Sequence, residues 1–245
     1  MTWRDAALTA GLLLIAAPGL AQDAGDGFLF KPPSGTFTIR GGLDRANAGS
    51  DIFAFVTDQL TVARSDFRAG TIAFDVAVRL KPRAQLAFSL GVAQSTTPSE
   101  FRRWEDNNNQ PIQQTTTFMR APLTASLKMY LAGPGRAIGH FAWIPSRYAP
   151  YVGAGGGVMW YRFRQAGDFI DFSTTKVFSD VFDSTGWTPT AQGFVGTDVS
   201  LTPRFALTGE IRYQFAKAGL GRDYAGFSRI DLSGFAATGG VSIRY

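Results

Sequence analysis

The sequence predicts an all-β fold, a closed antiparallel transmembrane β-barrel of about eight strands with long extracellular loops. Three observations predict it. Eight segments alternate apolar and polar residues, long connections between them alternate with short ones, and a leader-like segment precedes the first strand. Successive side chains of a strand point to opposite faces, so each alternating segment is a two-faced strand. A strand crosses a bilayer with about 9–11 residues, which needs no long apolar run.

The N-terminal residues 1–21 have the pattern of a cleaved signal peptide. Arg4 lies in the short first region, an apolar stretch runs from Ala6 to Ala17, and small residues precede Gln22. A buried N-terminal helix is the alternative, but polar, glycine-rich residues follow immediately. We therefore expect an exported chain in which residues 22–245 form the barrel domain.

Eight expected strands follow the leader. The clearest is Thr71 to Leu80, where Phe74 and Val76 share an apolar face opposite Asp75 and Arg79. The expected strands cover residues 37–44, 71–80, 85–92, 119–131, 151–163, 190–201, 205–215 and 235–245. An even number of strands is what a closed antiparallel barrel of the bacterial outer membrane requires.

Two strands carry irregular features. Pro122 has no N–H to donate, so we expect a bulge or a strand boundary there. In the fifth strand, Arg162 and Arg164 share parity with apolar residues such as Val158, and a bulge at the preceding glycines would resolve this conflict.

The connections predict which end of the barrel faces outward. Residues 45–68, 95–115, 165–187 and 217–232 are long and are expected outside, whereas 81–84 and 202–204 are tight inward turns. The inward stretch 132–149 is an exception in length, and we expect it to pack under the barrel or to lie at the membrane interface.

The polar faces predict a charged lumen, because ions cannot face lipid. An eight-stranded barrel has room for little more than side chains, so these charges must pair. The expected lumen network contains Arg40, Asp44, Asp75, Arg79, Arg120, Lys128, Asp198, Glu210, Arg212 and Arg244. Six of these are basic and four acidic, so water, loop carboxylates or an anion must complete the network. A structural polar plug is the main interpretation and a narrow anion-preferring pore the alternative.

Aromatic residues are expected to form girdles at the two membrane interfaces. The expected periplasmic girdle contains Tyr130, Trp143, Tyr148, Tyr151 and Tyr245. Nearer the outer end we expect Trp160, Tyr161, Trp187 and Tyr213.

A family resemblance rests on two short motifs. The segment 239–245, with Val241, Ile243 and terminal Tyr245, resembles the C-terminal assembly signal of outer-membrane proteins. Residues 149–157 resemble the fifth-strand entry of small OmpA/OmpW-type barrels. The resemblance implies location in the bacterial outer membrane, contact with its lipid and lipopolysaccharide, and recognition by the barrel-assembly machinery. The functions of this family are diverse, so the fold does not decide the activity.

Composition and residue types limit the functions to be considered. The chain has no Cys, which excludes a disulfide framework and thiolate metal sites, and its +5 charge without a dense basic run gives no indication of nucleic-acid binding. The only His, His140, falls in an inward connection, away from outer-leaflet substrates. We therefore expect no catalysis, no cofactor and no metal.

Three functions remain open. The leading one is a structural or surface-interaction barrel whose outer loops contact an extracellular ligand. A narrow channel for small hydrophobic or anionic molecules is the alternative, because apolar residues in 52–62 and 165–187 could line an entry. A soluble, lipocalin-like ligand-binding barrel is the third, since alternation alone does not tell the inside from the outside.

Overall fold

A computed structural model of the chain describes residues 27–106, 109–138, 142–171, 174 and 176–245. The expected signal peptide and His140 lie outside the described residues. The eight barrel strands are β1 Gly35–Ala46, β2 Arg68–Lys81, β3 Ala84–Glu105, β4 Pro111–Tyr130, β5 Tyr148–Asp171, β6 Lys176–Ser200, β7 Phe205–Ala218 and β8 Gly234–Arg244. Among these residues no helix is both long and apolar enough to cross a membrane.

The strands close into one antiparallel ring. Each strand pairs with the next along the chain, and β8 pairs with β1. Following paired residues once around from Gly35 leads back to β1 at Arg45, a stagger of 45 − 35 = 10 residues. This stagger in an eight-stranded barrel corresponds to strands tilted by about 40° and an interior only wide enough for side chains.

The burial pattern is the inverse of that of a soluble protein. Outward residues of β2 such as Ile72 and Leu80 are more than half exposed, while inward Arg40 and Glu210 are 3% and 7% exposed. An apolar exterior around a charged interior is the arrangement of a transmembrane barrel. The expected fold class is therefore confirmed.

The strands at one end run much further than the alternation predicts. The stretches 95–115 and 165–187 are mostly strand rather than loop, because β3 with β4 and β5 with β6 continue as paired ribbons. We call this the outer end, and the end with the turns at 82–83 and 201–204 the inner end.

Two outer connections are folded. The first holds helix α1, Asp51–Gln59, followed by a short 3-10 helix, Arg64–Phe67. The last holds a 3-10 turn, Arg222–Tyr224, and a short strand, Ile230–Asp231, that pairs with β7.

Neither expected bulge is present. Pro122 lies within β4, where pairing with β3 lapses between Leu90 and Ala93 but resumes in the same register. The β5 register with both neighbours is continuous through the glycines. A Cβ at Gly155 or Gly157 would collide with the β4 backbone, so these glycines permit close approach of strands.

The long inward connection folds under the barrel as a hairpin of Gly135–Ile138 with Ala142–Pro145. Trp143 of this hairpin is 3% exposed, and its backbone pairs with Leu29. Packing under the barrel is therefore what the structure shows for this segment.

The expected girdles need partial correction. Tyr130, Tyr151, Trp143 and Tyr161 are buried, because the tyrosines point into the lumen and Trp143 packs beneath it. Tyr148 and Tyr245 are exposed at the inner end. At the outer end, Trp160 pairs across β5 and β6 with Trp187, which is 65% exposed, and Tyr213 contacts Phe235. We call Trp160, Trp187, Tyr213 and Phe235 the outer aromatic band.

We expect Phe74→Arg to destabilise the barrel by about 2–4 kcal/mol, because a cation at the middle of the lipid-facing surface loses its water. Phe74 faces outward and is 45% exposed. The measurement is denaturant unfolding from lipid vesicles. Val181→Arg is the matched control, since Val181 is equally exposed but lies beyond the outer aromatic band. Equal losses at both positions would contradict a lipid-facing belt.

Candidate functional site

The centre of the lumen is a network of two arginines and two carboxylates. Arg40 on β1 is ion-paired with Asp75 on β2 at 2.6 Å and with Glu210 on β7. Arg212 contacts Glu210 at 2.8 Å and Asp75 at 3.9 Å. Tyr151 donates a further hydrogen bond to Glu210 at 3.1 Å. This network joins strands from opposite sides of the barrel, and its two positive and two negative charges balance.

A second ion pair lies towards the outer end. Arg120 on β4 pairs with Asp44 on β1, and both side chains are almost fully buried. Arg120 also donates to the carbonyl of Leu232 at 2.7 Å. The pair therefore connects opposite walls and holds the last outer connection against the lumen.

The inner half of the lumen contains a third group. Lys128 lies 3.1 Å from Asp198 and 3.6 Å from the centre of the Tyr151 ring. Asp198 also accepts hydrogen bonds from Tyr130 at 2.7 Å and Thr208 at 2.8 Å. Every oxygen and ammonium of this group has a close partner, as a buried ion pair requires.

An apolar plug closes the outer end. Phe53 of α1 packs edge-on against Phe67, Phe118 and Phe163, with ring centroids 4.8, 5.3 and 5.6 Å away. Ile52, Phe53 and Val56 are fully buried. The amphipathic helix therefore lies across the barrel mouth with its apolar face inward.

The α1 plug is attached to its surroundings on two sides. The backbone N–H of Thr61 donates to Glu100 on β3 at 2.8 Å. Asp51 accepts the backbone N–H of Ser228 at 2.8 Å, and this hydrogen bond is the main cause of a lowered pKa for Asp51.

Little space remains at the centre of the described lumen. A cavity of about 40 Å³ lies beside Arg40 and Arg120, and one of about 20 Å³ lies beside Tyr151 and Glu210. A water molecule needs roughly 10–15 Å³ of such space, so each cavity holds few waters. The side chains therefore fill the centre of the lumen among the described residues.

The structure brings together eight of the ten expected lumen residues as four basic and four acidic partners. Arg79 and Arg244 differ from them. Arg244 is buried, and among the described residues its side-chain hydrogen bonds go to Ser200 and the carbonyl of Pro203. Arg79 is half-buried and has no side-chain partner among the described residues. Both lie at the inner end.

The expected assembly signal lies on the lipid-facing side of β8. Val241, Ile243 and Tyr245 are 46%, 38% and 50% exposed. Their recognition by an assembly machinery stays a prediction.

Several residues of the lumen network were not predicted, because they carry no charge. Gln192 donates to Thr124 and Ser126 at 2.8 and 2.7 Å and accepts from Arg212. Tyr151 and Tyr130 were expected at the interface. Tyr151 has the same parity along β5 as the inward glycines, and Tyr130 has the same parity along β4 as Lys128. This parity was the available signal that both tyrosines point into the lumen.

No family model matches the sequence, and no curated protein matches it. Among solved structures, the chain is similar to Neisserial surface protein A, with 10% identity, 90% and 98% coverage of the two chains and a TM-score of 0.43. It is similar to a major outer membrane protein of Thermus thermophilus, with 12% identity, 86% and 100% coverage and a TM-score of 0.44. It is also similar to the attachment invasion locus protein of Yersinia pestis, with 11% identity, 86% and 99% coverage and a TM-score of 0.43.

We expect Asp44→Leu and Arg120→Met each to destabilise the barrel by about 3–5 kcal/mol, because each leaves an unpaired buried charge. The double variant Asp44→Leu/Arg120→Met should lose clearly less than the sum of the two. Denaturant unfolding from vesicles measures all three. Additive losses would show that the two side chains do not stabilise each other.

We expect acid to loosen α1. The pKa of Asp51 is lowered from 3.8 in the folded chain, so its stabilising contribution is present above that value and is lost as pH falls through the folded pKa. Amide exchange of residues 51–59, corrected for intrinsic rates, should therefore accelerate below about pH 3.8. Asp51→Asn should remove this pH dependence. An unchanged profile in the variant would assign the effect to another group.

Proposed function

We propose that the chain is a bacterial outer-membrane protein with a structural or surface-interaction role and no catalysis. The filled lumen is the observation that carries this proposal. Its ion pairs join opposite walls, and α1 covers the outer mouth. A barrel built in this way is a rigid support for what it presents outside.

The outer ribbons are the surface that the barrel would present. Beyond Trp160 and Trp187, β5 and β6 continue as a paired ribbon, and Arg162 forms an ion pair with Asp183 at 2.9 Å on its outward side. Further out, Val177, Phe178 and Val181 are 39–46% exposed. Charged pairs belong in water, so this part of the ribbon supports contacts outside the membrane.

Basic residues beside the outer aromatic band support contact with lipopolysaccharide. Arg45 and Arg68 lie directly opposite each other on β1 and β2, and both are exposed. Neither forms an ion pair among the described residues. Like charges in this position repel unless an anion lies between them. The phosphates of lipopolysaccharide would supply that anion at this depth.

The two alternatives have less support. A channel requires a continuous lumen, and the remaining central cavities hold few waters. A soluble lipocalin-like barrel requires an apolar interior, whereas Arg40, Glu210 and Asp198 are buried here and the apolar residues face outward.

We expect no unitary current steps from the wild-type protein in planar bilayers, because its lumen is filled. The matched variant replaces Arg40, Asp75, Glu210 and Arg212 by Ala and deletes residues 51–59, which empties the centre of the lumen and uncovers its outer mouth. This variant should conduct and shows that the assay detects an open lumen. Equal conductance of both proteins would favour the channel alternative.

We expect Arg45→Gln/Arg68→Gln to weaken lipopolysaccharide binding about 30-fold, since a cation near an anionic lipid surface contributes about 1 kcal/mol. The measurement is lipopolysaccharide titration of the barrel in neutral bicelles. Arg103→Gln/Lys176→Gln carries the same charge change far from the aromatic band and should bind as wild type. Equal weakening by both double variants would indicate only net-charge attraction.

A further inference from the structure

The excess positive charge of the lumen is concentrated at one place. The two network residues without a carboxylate partner, Arg79 and Arg244, both line a cavity of about 200 Å³ at the inner end. Lys81 lines the same cavity. Thus three cations surround a space that is five times larger than the cavity beside Arg120.

No carboxylate among the described residues lines this cavity, although Asp198 acts on Arg244 from outside its lining. Asp198 is the nearest acidic member of the lumen network, but it is already bonded to Lys128, Tyr130 and Thr208. The other four basic residues of the lumen network are each paired with a carboxylate. This cavity is the exception, because the cations that line it are not.

One of the three cations is held in place and one is free. Arg244 is 5% exposed and is fixed by Ser200 Oγ at 2.8 Å, the Pro203 carbonyl at 3.3 Å and the Trp143 ring at 5.7 Å. Its Nε has no hydrogen-bond partner among the described residues. Arg79 has no side-chain partner among the described residues and can turn towards a ligand.

The remaining residues that line the cavity indicate which kind of group would accompany an anion bound by these cations. Pro33, Pro82, Pro134 and Trp143 form apolar surface, and the buried polar side chains of Gln85 and Thr36 face the same space. The volume exceeds that of a cavity of about 150 Å³, which accommodates benzene. It therefore has room for an oxyanion together with a compact substituent.

We propose that this cavity binds a phosphate ester. A phosphate monoester carries close to two negative charges and three acceptor oxygens, and the phosphodiester of a phospholipid headgroup carries one negative charge and two free acceptor oxygens; both suit cationic donors. Arginine forks are well matched to phosphate oxygens. The ester comes either from a phospholipid headgroup of the inner-end leaflet or from a soluble molecule. This site is separate from the outer surface of the proposed function, so each can fail without the other.

The test uses the full chain folded in an uncharged detergent and calorimetric titration with glycerol phosphate and with short-chain phosphatidylglycerol. We expect saturable binding of at least one probe. Arg79→Gln should weaken it about tenfold, because a charge-assisted hydrogen bond is lost. Arg83→Gln is the matched control, because Arg83 is exposed in the turn between β2 and β3 and does not line the cavity. The affinity of this variant for the probe should stay within about twofold of wild type.

The two probes distinguish the sources. Binding of glycerol phosphate supports a soluble ester, and binding of the lipid alone supports a headgroup. The heat-dependent gel shift confirms that both variants are folded. The proposal is overturned if neither probe binds saturably, or if Arg83→Gln weakens binding as much as Arg79→Gln does.

Discussion

The need to pair every backbone N–H and C=O within the sheet is the constraint on which the structure depends. Lipid offers these groups no partner, so the eight strands must close into a ring. A ring with a ten-residue stagger is narrow, and its interior holds side chains rather than a channel. The outward side must then be apolar, which leaves the polar half of each strand inside.

The charged interior follows from this inversion and determines how the walls are held. Arg40 and Asp75 come from the neighbouring strands β1 and β2, and both are bonded across the lumen to residues of β7, which is not a neighbour of either strand. Buried ion pairs contribute little net stability over apolar packing, but a mispaired charge is strongly unfavourable. The network therefore penalises incorrect strand registers more than it strengthens the correct one.

Alternation predicted the strands within the membrane because lipid and lumen differ there in polarity. It failed where that contrast ends: around Val181 the residues on both faces of the ribbon are exposed, so strand looked like loop. Helix α1 was missed because nine residues give too little periodicity. The lumen residues were predictable from parity, whereas their partners depend on the stagger between distant strands, which one sequence does not specify.

Helix α1 and the outer β5–β6 ribbon differ in how well they should tolerate changes of sequence. Helix α1 is bonded to β3 and to the last outer connection, and Phe53 packs against rings from three other elements. At the far part of the β5–β6 ribbon, by contrast, residues 176–181 of β6 are exposed at every position. Inserted tags and substitutions should therefore be tolerated at the end of that ribbon and not between β1 and β2. A chain of this kind can vary the exposed sequence of its outer ribbon while its barrel stays the same.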